Sequence, residues 1–275
     1  MSTRSSLKVL TLHRCCLLAG ILMLASPATL AATIILPPAG GQYDSQLGGA
    51  YPPPDGVTVL SRDRTEPPVP DLYNICYINA FQTQPHEQYL WTALPTSVLL
   101  TRPDGSFVED PNWPGEIILD TSTFEKRAAL FLVTARWIAQ CARDGFQAIE
   151  ADNLDTYSRS NGALTVADNL AYASALAAHA HSLGLAFAQK NGADLGPQGK
   201  SAGFDFAIVE SCQMYAECDA YTDVYGRNVI EIEYTDTDPR FFETACAARG
   251  EKISVIRRDR NLTMSGDPSY FYRTC

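Results

Sequence analysis

Histidine is scarce in this chain, with 4 in 275 residues. One of them, His13, lies in the first 32 residues, which leaves His86, His179 and His181. His179 and His181 are two positions apart, so on a helix they point to different faces and cannot share one ion. A catalytic metal is therefore not expected, and neither is a cofactor. No Gly-rich phosphate loop follows a candidate strand, and no Gly-x-Ser-x-Gly elbow is present. Ser211 lies beside Glu210 but has no histidine partner in sequence. Basic residues are also in short supply. The chain carries 21 Lys and Arg against 31 Asp and Glu. That balance excludes a nucleic-acid binder, which needs basic patches against phosphate, and argues against anionic lipid. It suits a cationic partner.

Only one long apolar run is present, Cys15 to Ala25 near the start. Arg4, Lys8 and Arg14 precede it, Pro27 breaks it, and Ala31 or Ala32 offers a cleavage point. Residues 1–32 are expected to be an export signal. No later run reaches membrane-spanning length, so no membrane association is expected after cleavage. Six cysteines remain: Cys76, Cys141, Cys212, Cys218, Cys246 and Cys275. An even number in an exported chain indicates disulfides, and no pair has zinc-ribbon spacing. Many pairings are open. Cys212 and Cys218 are close enough to staple one loop, a Cys246–Cys275 bridge would pin the far end, and Cys76–Cys141 follows by elimination. Nothing suggests an oligomer, so a monomer is expected.

Residues 33–56 are rich in Pro and Gly and read as an irregular entry segment. Short apolar runs then alternate with helical patterns. The expected strands are 57–60, 73–78, 117–119, 148–150, 185–189, 206–209, 229–233 and 253–256. Ser122 with Glu125 reads as a helix start, followed by an inward stripe of Phe124, Ala128, Phe131, Ala135 and Ile138. Thr165 with Asp168 opens the next helix, and Asp238 with Pro239 a third. Strands and helices in alternation over residues 33–275 predict a single-domain α/β fold, a (β/α)8 TIM barrel, whose typical size is about 250 residues. A doubly wound open sheet is the rival topology.

Chemistry in such a barrel sits at the C-terminal ends of the strands. Those ends carry Asp63, Asn79, Asp120, Asp152 with Asn153, Lys190 with Asn191, Glu210, Glu233 with Tyr234, and Arg258. At two places an apolar strand runs straight into acid: Phe146 to Asp152, and Phe204 to Glu210. A pair of carboxylates on different strands is what glycosidic cleavage needs, one to protonate the leaving oxygen and one to attack carbon or activate water. Two carboxylates equally suit Ca²⁺ or a pair with Lys or Arg. Tyr77, Trp113, Tyr157, Tyr215 and Tyr234 are candidates for stacking on sugar faces, and Trp137, inside a helix pattern, for packing.

The stretch Ala148-Ile-Glu-Ala-Asp-Asn-Leu-Asp-Thr-Tyr157 resembles the Glu-Pro-Asp-Asn-x-Asp-x-Tyr signature of glycoside hydrolase family 114, the endo-α-1,4-polygalactosaminidases. Tyr43-Asp-Ser-Gln-Leu-Gly48, Ile75-Cys-Tyr-Ile-Asn-Ala80, Trp113-Pro-Gly-Glu116, Lys190-Asn191, Glu210-Ser-Cys212 with Tyr215-Ala-Glu-Cys218, and Glu233-Tyr234 match in family order. The departure is Ala151, where the family usually has Pro. The resemblance implies a (β/α)8 barrel with Asp152 and Glu210 as the catalytic pair, Asp152 as nucleophile and Glu210 as acid/base of a retaining reaction. It implies a secreted enzyme acting on a cationic galactosamine-containing polysaccharide. Asp44, Asp63, Tyr77, Asp120, Glu150, Asn153, Lys190, Asn191, Glu233 and Tyr234 are the expected substrate-binding residues. The alternative for Glu150 is a strand-end acid paired with Lys190. The alternative for the whole chain is a secreted carbohydrate-binding barrel without turnover.

Overall fold

A computed structural model describes residues 1–2 and 33–275. The expected export segment, with Cys15 and Cys16, lies almost wholly outside the described residues. Nine strands form one sheet in sequence order: β1 (Tyr43–Gln46), β2 (Val59–Asp63), β3 (Tyr73–Asn79), β4 (Ala148–Asp152), β5 (Ala186–Lys190), β6 (Phe206–Glu210), β7 (Val229–Tyr234), β8 (Ser254–Arg258) and β9 (Tyr272–Thr274). The first eight pair in parallel and β9 lies antiparallel on β8. Helices lie between the strands, and the sheet curls into a nearly closed (β/α)8 barrel. Side-chain parity divides the core, because alternate strand residues face opposite sides of the sheet. Val59, Ile75, Ala148, Ala186, Phe206, Ile208, Ile230 and Ile256 fill the barrel. Their neighbours Ile78, Ile149, Phe187, Val209 and Val255 face the helices.

Two expected elements differ. Residues 33–56 hold β1, although Tyr-Asp-Ser-Gln has no apolar run to signal it. Ile117–Leu119 is not a barrel strand. It makes antiparallel bridges to Gln82, Leu99 and Glu109 within an excursion between β3 and β4, over a small core of Leu100, Val108, Ile118 and Leu164. A short apolar run reads the same in either setting.

The long helix α2 (Phe124–Asp144) starts one residue later than expected, with the Thr123 hydroxyl accepting from the Lys126 N–H. It ends at Gly145, whose φ of 95° suits a residue without Cβ. Its buried face is Ala129, Leu130, Thr134, Ile138 and Cys141, while Phe124 is exposed. The helix is turned from the expected stripe because Cys141 is tied to Cys76 on the outer face of β3. Helix α3 (Val166–Ser182) has the expected capping box of Thr165 and Asp168. Helix α7 (Pro239–Arg249) is capped by Asp238. Two further disulfides, Cys212–Cys218 and Cys246–Cys275, match the expected pairing. The first opens the short helices α5 (Cys212–Tyr215) and α6 (Cys218–Tyr225).

Between β8 and β1 the barrel is closed by side chains rather than by a ladder. Arg258, fully buried, donates to Asp44 Oδ1 at 2.5 Å, to the Ser45 carbonyl, and to the Thr263 and Phe271 carbonyls at 2.9 Å each. The Tyr272 hydroxyl on β9 donates to the Tyr43 carbonyl on β1 at 3.0 Å.

Candidate active site

Three successive strands end alike. Asp152, Lys190 and Glu210 close β4, β5 and β6, and the next residues, Asn153, Asn191 and Ser211, have φ of 66°, 51° and 57°. The left-handed turn takes the chain off the sheet immediately, so the last strand side chain stays in the mouth. Asn tolerates this backbone better than most residues, and such positions cluster at functional sites.

Lys190 sits at the centre, with 4% of its side chain exposed. Its Nζ lies 3.1 Å from Asp152 Oδ1, 3.2 Å from Glu150 Oε1 and 3.5 Å from Glu210 Oε2. Burial alone would lower the Lys190 pKa, but the three carboxylates outweigh it and raise it well above the usual lysine value. Lys190 is therefore an ammonium ion, not a base. Burial pushes Asp152 up, yet the Lys190 charge, the Tyr77 hydroxyl at 2.7 Å and the Asn153 N–H at 2.7 Å together hold it below the usual carboxylate range. Asp152 is ionised at neutral pH. Glu210 is clamped by Asn191, whose Nδ2 donates to Glu210 Oε2 at 2.9 Å and whose Oδ1 accepts the Glu210 N–H at 2.9 Å. The Tyr234 hydroxyl donates to the other oxygen, Oε1. Side-chain exposure is 18% for Asp152 and 29% for Glu210, so Glu210 is the more open to water.

Of the residues singled out in the sequence, the mouth brings together Tyr77, Asp152, Asn153, Lys190, Asn191, Glu210 and Tyr234. Tyr77 and Tyr234 are buried and face the carboxylates through their hydroxyls, not through ring faces. Asp63 lies on the next strand, paired with Tyr77, with Oδ1 taken by Thr65, and lines a recess of about 270 Å³ together with Gln46, Glu66 and Glu87. Glu150 lies one layer below the mouth, buried, with Lys190 on one oxygen and the Ser61 hydroxyl on the other.

Three expected binding residues sit elsewhere. Asp44 is fully buried at the seam, saturated by Arg258, by the Tyr51 hydroxyl at 2.7 Å and by Gln46 Nε2 at 3.0 Å. Asp120 accepts from the Ser122 N–H and hydroxyl at the entry to α2 and pairs with Lys126. Glu233 has the opposite parity to Tyr234 and faces outward, where Oε1 accepts the Gln213 N–H at 3.0 Å and Oε2 has no partner.

The structure adds residues that strand-end reasoning had not assigned to a role. Glu116, from the excursion between β3 and β4, accepts from Asn79 Nδ2 at 3.2 Å and Gln82 Nε2 at 3.0 Å. Arg159 donates to Gln82 and to Asn153 Oδ1 and pairs with Asp110 and Asp155. The motif containing Trp113 and Glu116 was the only sequence signal for this wall. Trp113 and Tyr215 are exposed, at 48% and 64%. Trp137 packs edge-on against Trp91, as expected for a core residue. His179 and His181 hydrogen-bond through Nε2 to the Ala135 carbonyl and to Asp205 respectively. The one candidate metal cluster among the described residues, Cys212, Cys218 and Glu231, is already a disulfide. No helix among the described residues is long and apolar enough to cross a membrane.

No curated protein sequence matches the chain. The fold is similar to Aspergillus fumigatus Ega3 in complex with galactosamine, with a TM-score of 0.68 at 21% identity over 90% of this chain and 100% of that one. It is also similar to the glycoside hydrolase domain of PelA from Pseudomonas aeruginosa, with a TM-score of 0.53 at 15% identity over 82% of this chain and 96% of that one. The family model for glycoside hydrolases GH114 matches residues 24–275. The chain belongs to glycoside hydrolase family GH114, and it is a glycoside hydrolase.

Proposed function

We propose that the protein is a secreted, endo-acting hydrolase of α-1,4-linked galactosamine polymer that works with retention. The observation that carries this is the single Lys190 ammonium bridging Asp152 and Glu210. Their nearest oxygens lie 3.1 and 3.5 Å from one nitrogen. Those two oxygens cannot be further apart than the two distances laid end to end, which leaves room for the retaining separation of about 5–5.5 Å.

The roles follow from the surroundings. Asp152, held ionised, attacks the anomeric carbon. The bond from that carbon to the glycosidic oxygen breaks, and Glu210 gives its proton to the departing oxygen. A covalent glycosyl–Asp152 ester results. Water then attacks the same carbon, Glu210 takes its proton, and Asp152 leaves. Glu210 is the more exposed of the pair. The Asn191 clamp and the Tyr234 hydroxyl fix it for both steps.

The substrate assignment rests on charge and on family. Around the mouth three cations, Lys190, Arg159 and Arg260, face seven carboxylates: Glu150, Asp152, Glu210, Asp110, Asp155, Glu116 and Asp236. A polymer of amino sugars supplies the missing positive charge. A relative of the same fold has been crystallised with galactosamine. Asp63, in the recess it lines, is the further candidate for ammonium contact. Three disulfides fit an oxidising compartment, and residues 1–32 are proposed to direct export and then to be removed.

The test uses protein recovered from culture medium, whose intact mass also reads whether residues 1–32 are gone. Wild type, Asp152→Asn and Glu210→Gln are incubated with deacetylated α-1,4-galactosamine polymer, and released oligomers are read by mass spectrometry. Wild type is expected to release oligomers, and each variant to do so about 10²–10⁴-fold more slowly. Binding without cleavage by wild type would instead mark a carbohydrate-binding barrel. Cleavage undiminished in both variants would remove the pair from the chemistry.

A further inference from the structure

Glu116 is a carboxylate of the mouth wall that has no cation of its own. Asp152, Glu150 and Glu210 share Lys190, and Asp110 and Asp155 share Arg159. No Lys, Arg or His nitrogen among the described residues lies within 4.0 Å of Glu116. Its place is nevertheless fixed. Its N–H bonds to the Trp113 carbonyl at 3.0 Å, and its carbonyl accepts from the Asp110 N–H at 2.9 Å, so the backbone is pinned on both sides. The side chain is pinned through one oxygen only. Oε2 accepts from both Asn79 and Gln82, while no hydrogen bond is made to Oε1. Those two amides are themselves held. Asn79 Oδ1 accepts from Asn153 Nδ2 at 2.9 Å, and Gln82 Oε1 accepts from Arg159 at 2.7 and 3.0 Å. Asn153 directly follows Asp152, so a rigid chain of amides joins Glu116 to the expected nucleophile.

A half-buried carboxylate in this position is costly on its own. Burial pushes its carboxyl up, the Gln82 and Asn79 amides oppose that only in part, and the negative charges of Asp152 and Asp110 add to it. A neutral residue would be accommodated better. The arrangement makes sense if a ligand brings the counter-charge.

The geometry points to Glu116 as the residue that recognises the substrate's ammonium group through its free Oε1, and so sets the preference for deacetylated over N-acetylated sugar. An ammonium donates a charge-assisted hydrogen bond to that oxygen and relieves the local excess of negative charge. An N-acetyl group has one amide N–H, no charge and a bulkier body. It loses the charge and meets the same crowded wall. This assignment rests on the reading of the substrate as an amino-sugar polymer, but not on turnover.

The test is therefore a binding measurement with the single sugars. Galactosamine hydrochloride and N-acetylgalactosamine are titrated by NMR at low ionic strength into wild type, Glu116→Gln and Glu116→Asp, with thermal midpoints recorded for each. Wild type is expected to prefer galactosamine. Glu116→Gln keeps the shape and an acceptor for the Asn79–Gln82 amides. It is expected to weaken galactosamine by about tenfold and to leave N-acetylgalactosamine unchanged. Glu116→Asp keeps the charge on a shorter stem and is expected to fall between. Equal losses for both sugars, an unchanged galactosamine affinity in Glu116→Gln, or no preference in wild type each overturn the assignment. Polymer cleavage is read separately. A wild type that fails to cut the polymer yet loses galactosamine selectively on Glu116→Gln keeps the assignment and loses the proposed activity. A wild type that cuts the polymer without such selectivity does the reverse.

Discussion

Two of the barrel's buried cations, Lys190 at the mouth and Arg258 at the seam, sit in settings that differ in kind. Arg258 presents a planar fork whose hydrogens are consumed by Asp44, Asp259 and three backbone carbonyls. Asp44 is saturated in turn by Tyr51 and Gln46. The charged pair itself has nothing left over to meet a ligand, and only the buried hydroxyls of Tyr43 and Thr263 nearby lack a partner. Lys190 is a point charge shared among three carboxylates that keep lone pairs to spare. The first arrangement fastens two strands. The second holds two acids close together without neutralising either. Burial and ion pairing are common to both. What separates function from structure is the unspent hydrogen-bonding capacity.

Three measurements break or sharpen this contrast. The largest effect is expected at the seam. Arg258→Met strands Asp44 as a buried, uncompensated charge and is expected to cost about 3–5 kcal/mol of stability, read by chemical denaturation. Turnover of the remaining folded protein should be little changed. A variant as stable as wild type would show that the seam does not depend on this fork. Lys190→Met should do the opposite. Asp152 and Glu210 border water and can be solvated, and the buried Glu150, whose carboxyl burial already pushes up, can take a proton, so the fold should survive. The rate should fall by about 10²–10³-fold, because Asp152 loses the charge that keeps it ionised. Its pH profile should shift upward with it, a change that a merely structural lysine would not produce.

The smallest effect concerns Glu233, which belongs to neither setting. Burial pushes its carboxyl from 4.5 up to about 7, with the Gln213 N–H opposing. In the unfolded chain Glu233 ionises near its ordinary value, while in the folded chain it keeps its proton until about pH 7. The folded state therefore binds more protons between those values, and stability falls as pH rises through that window, by up to roughly 3 kcal/mol, then levels off. Glu233→Gln should flatten the slope between pH 5 and 8 in denaturation curves. An unchanged slope would assign it to other groups.

The barrel was legible in the sequence because seven of its eight parallel strands carry apolar runs, and because Thr165 and Asp238 mark helix starts by local chemistry alone. The catalytic candidates Asp152 and Glu210 were legible for the same reason, as acids at the ends of such runs. The apolar runs stop short, however. Asp63, Asn79, Asp152, Lys190, Glu210 and Arg258 are still within the sheet, since a strand can end in polar residues once it reaches the mouth. Strand β1 was missed because its pairing is backbone-driven and its polar side chains are satisfied by long-range partners such as Arg258. Asp44 and Glu233 were misplaced by ignoring parity. Tyr43 and Tyr234 face the barrel, so their neighbours face away from it. Asp120 belongs to a helix cap that a strand-based reading could not see. Glu116 reaches the mouth from outside the strand–helix alternation, so no periodic pattern could announce it.

The seam has a consequence for how the chain is made. Arg258 meets Asp44 across 214 positions, and Tyr272 meets Tyr43 across 229. A nascent chain emerging from its first residue onward lacks both fasteners until nearly all of residues 33–275 exist. Strands β1 to β7 can pair with their neighbours as they appear, but the cylinder stays an open sheet with β1 as an unprotected edge. Contacts of such sequence separation also slow closure once the chain is complete. An open, late-closing sheet remains threadable for longer, which suits the export proposed for this chain.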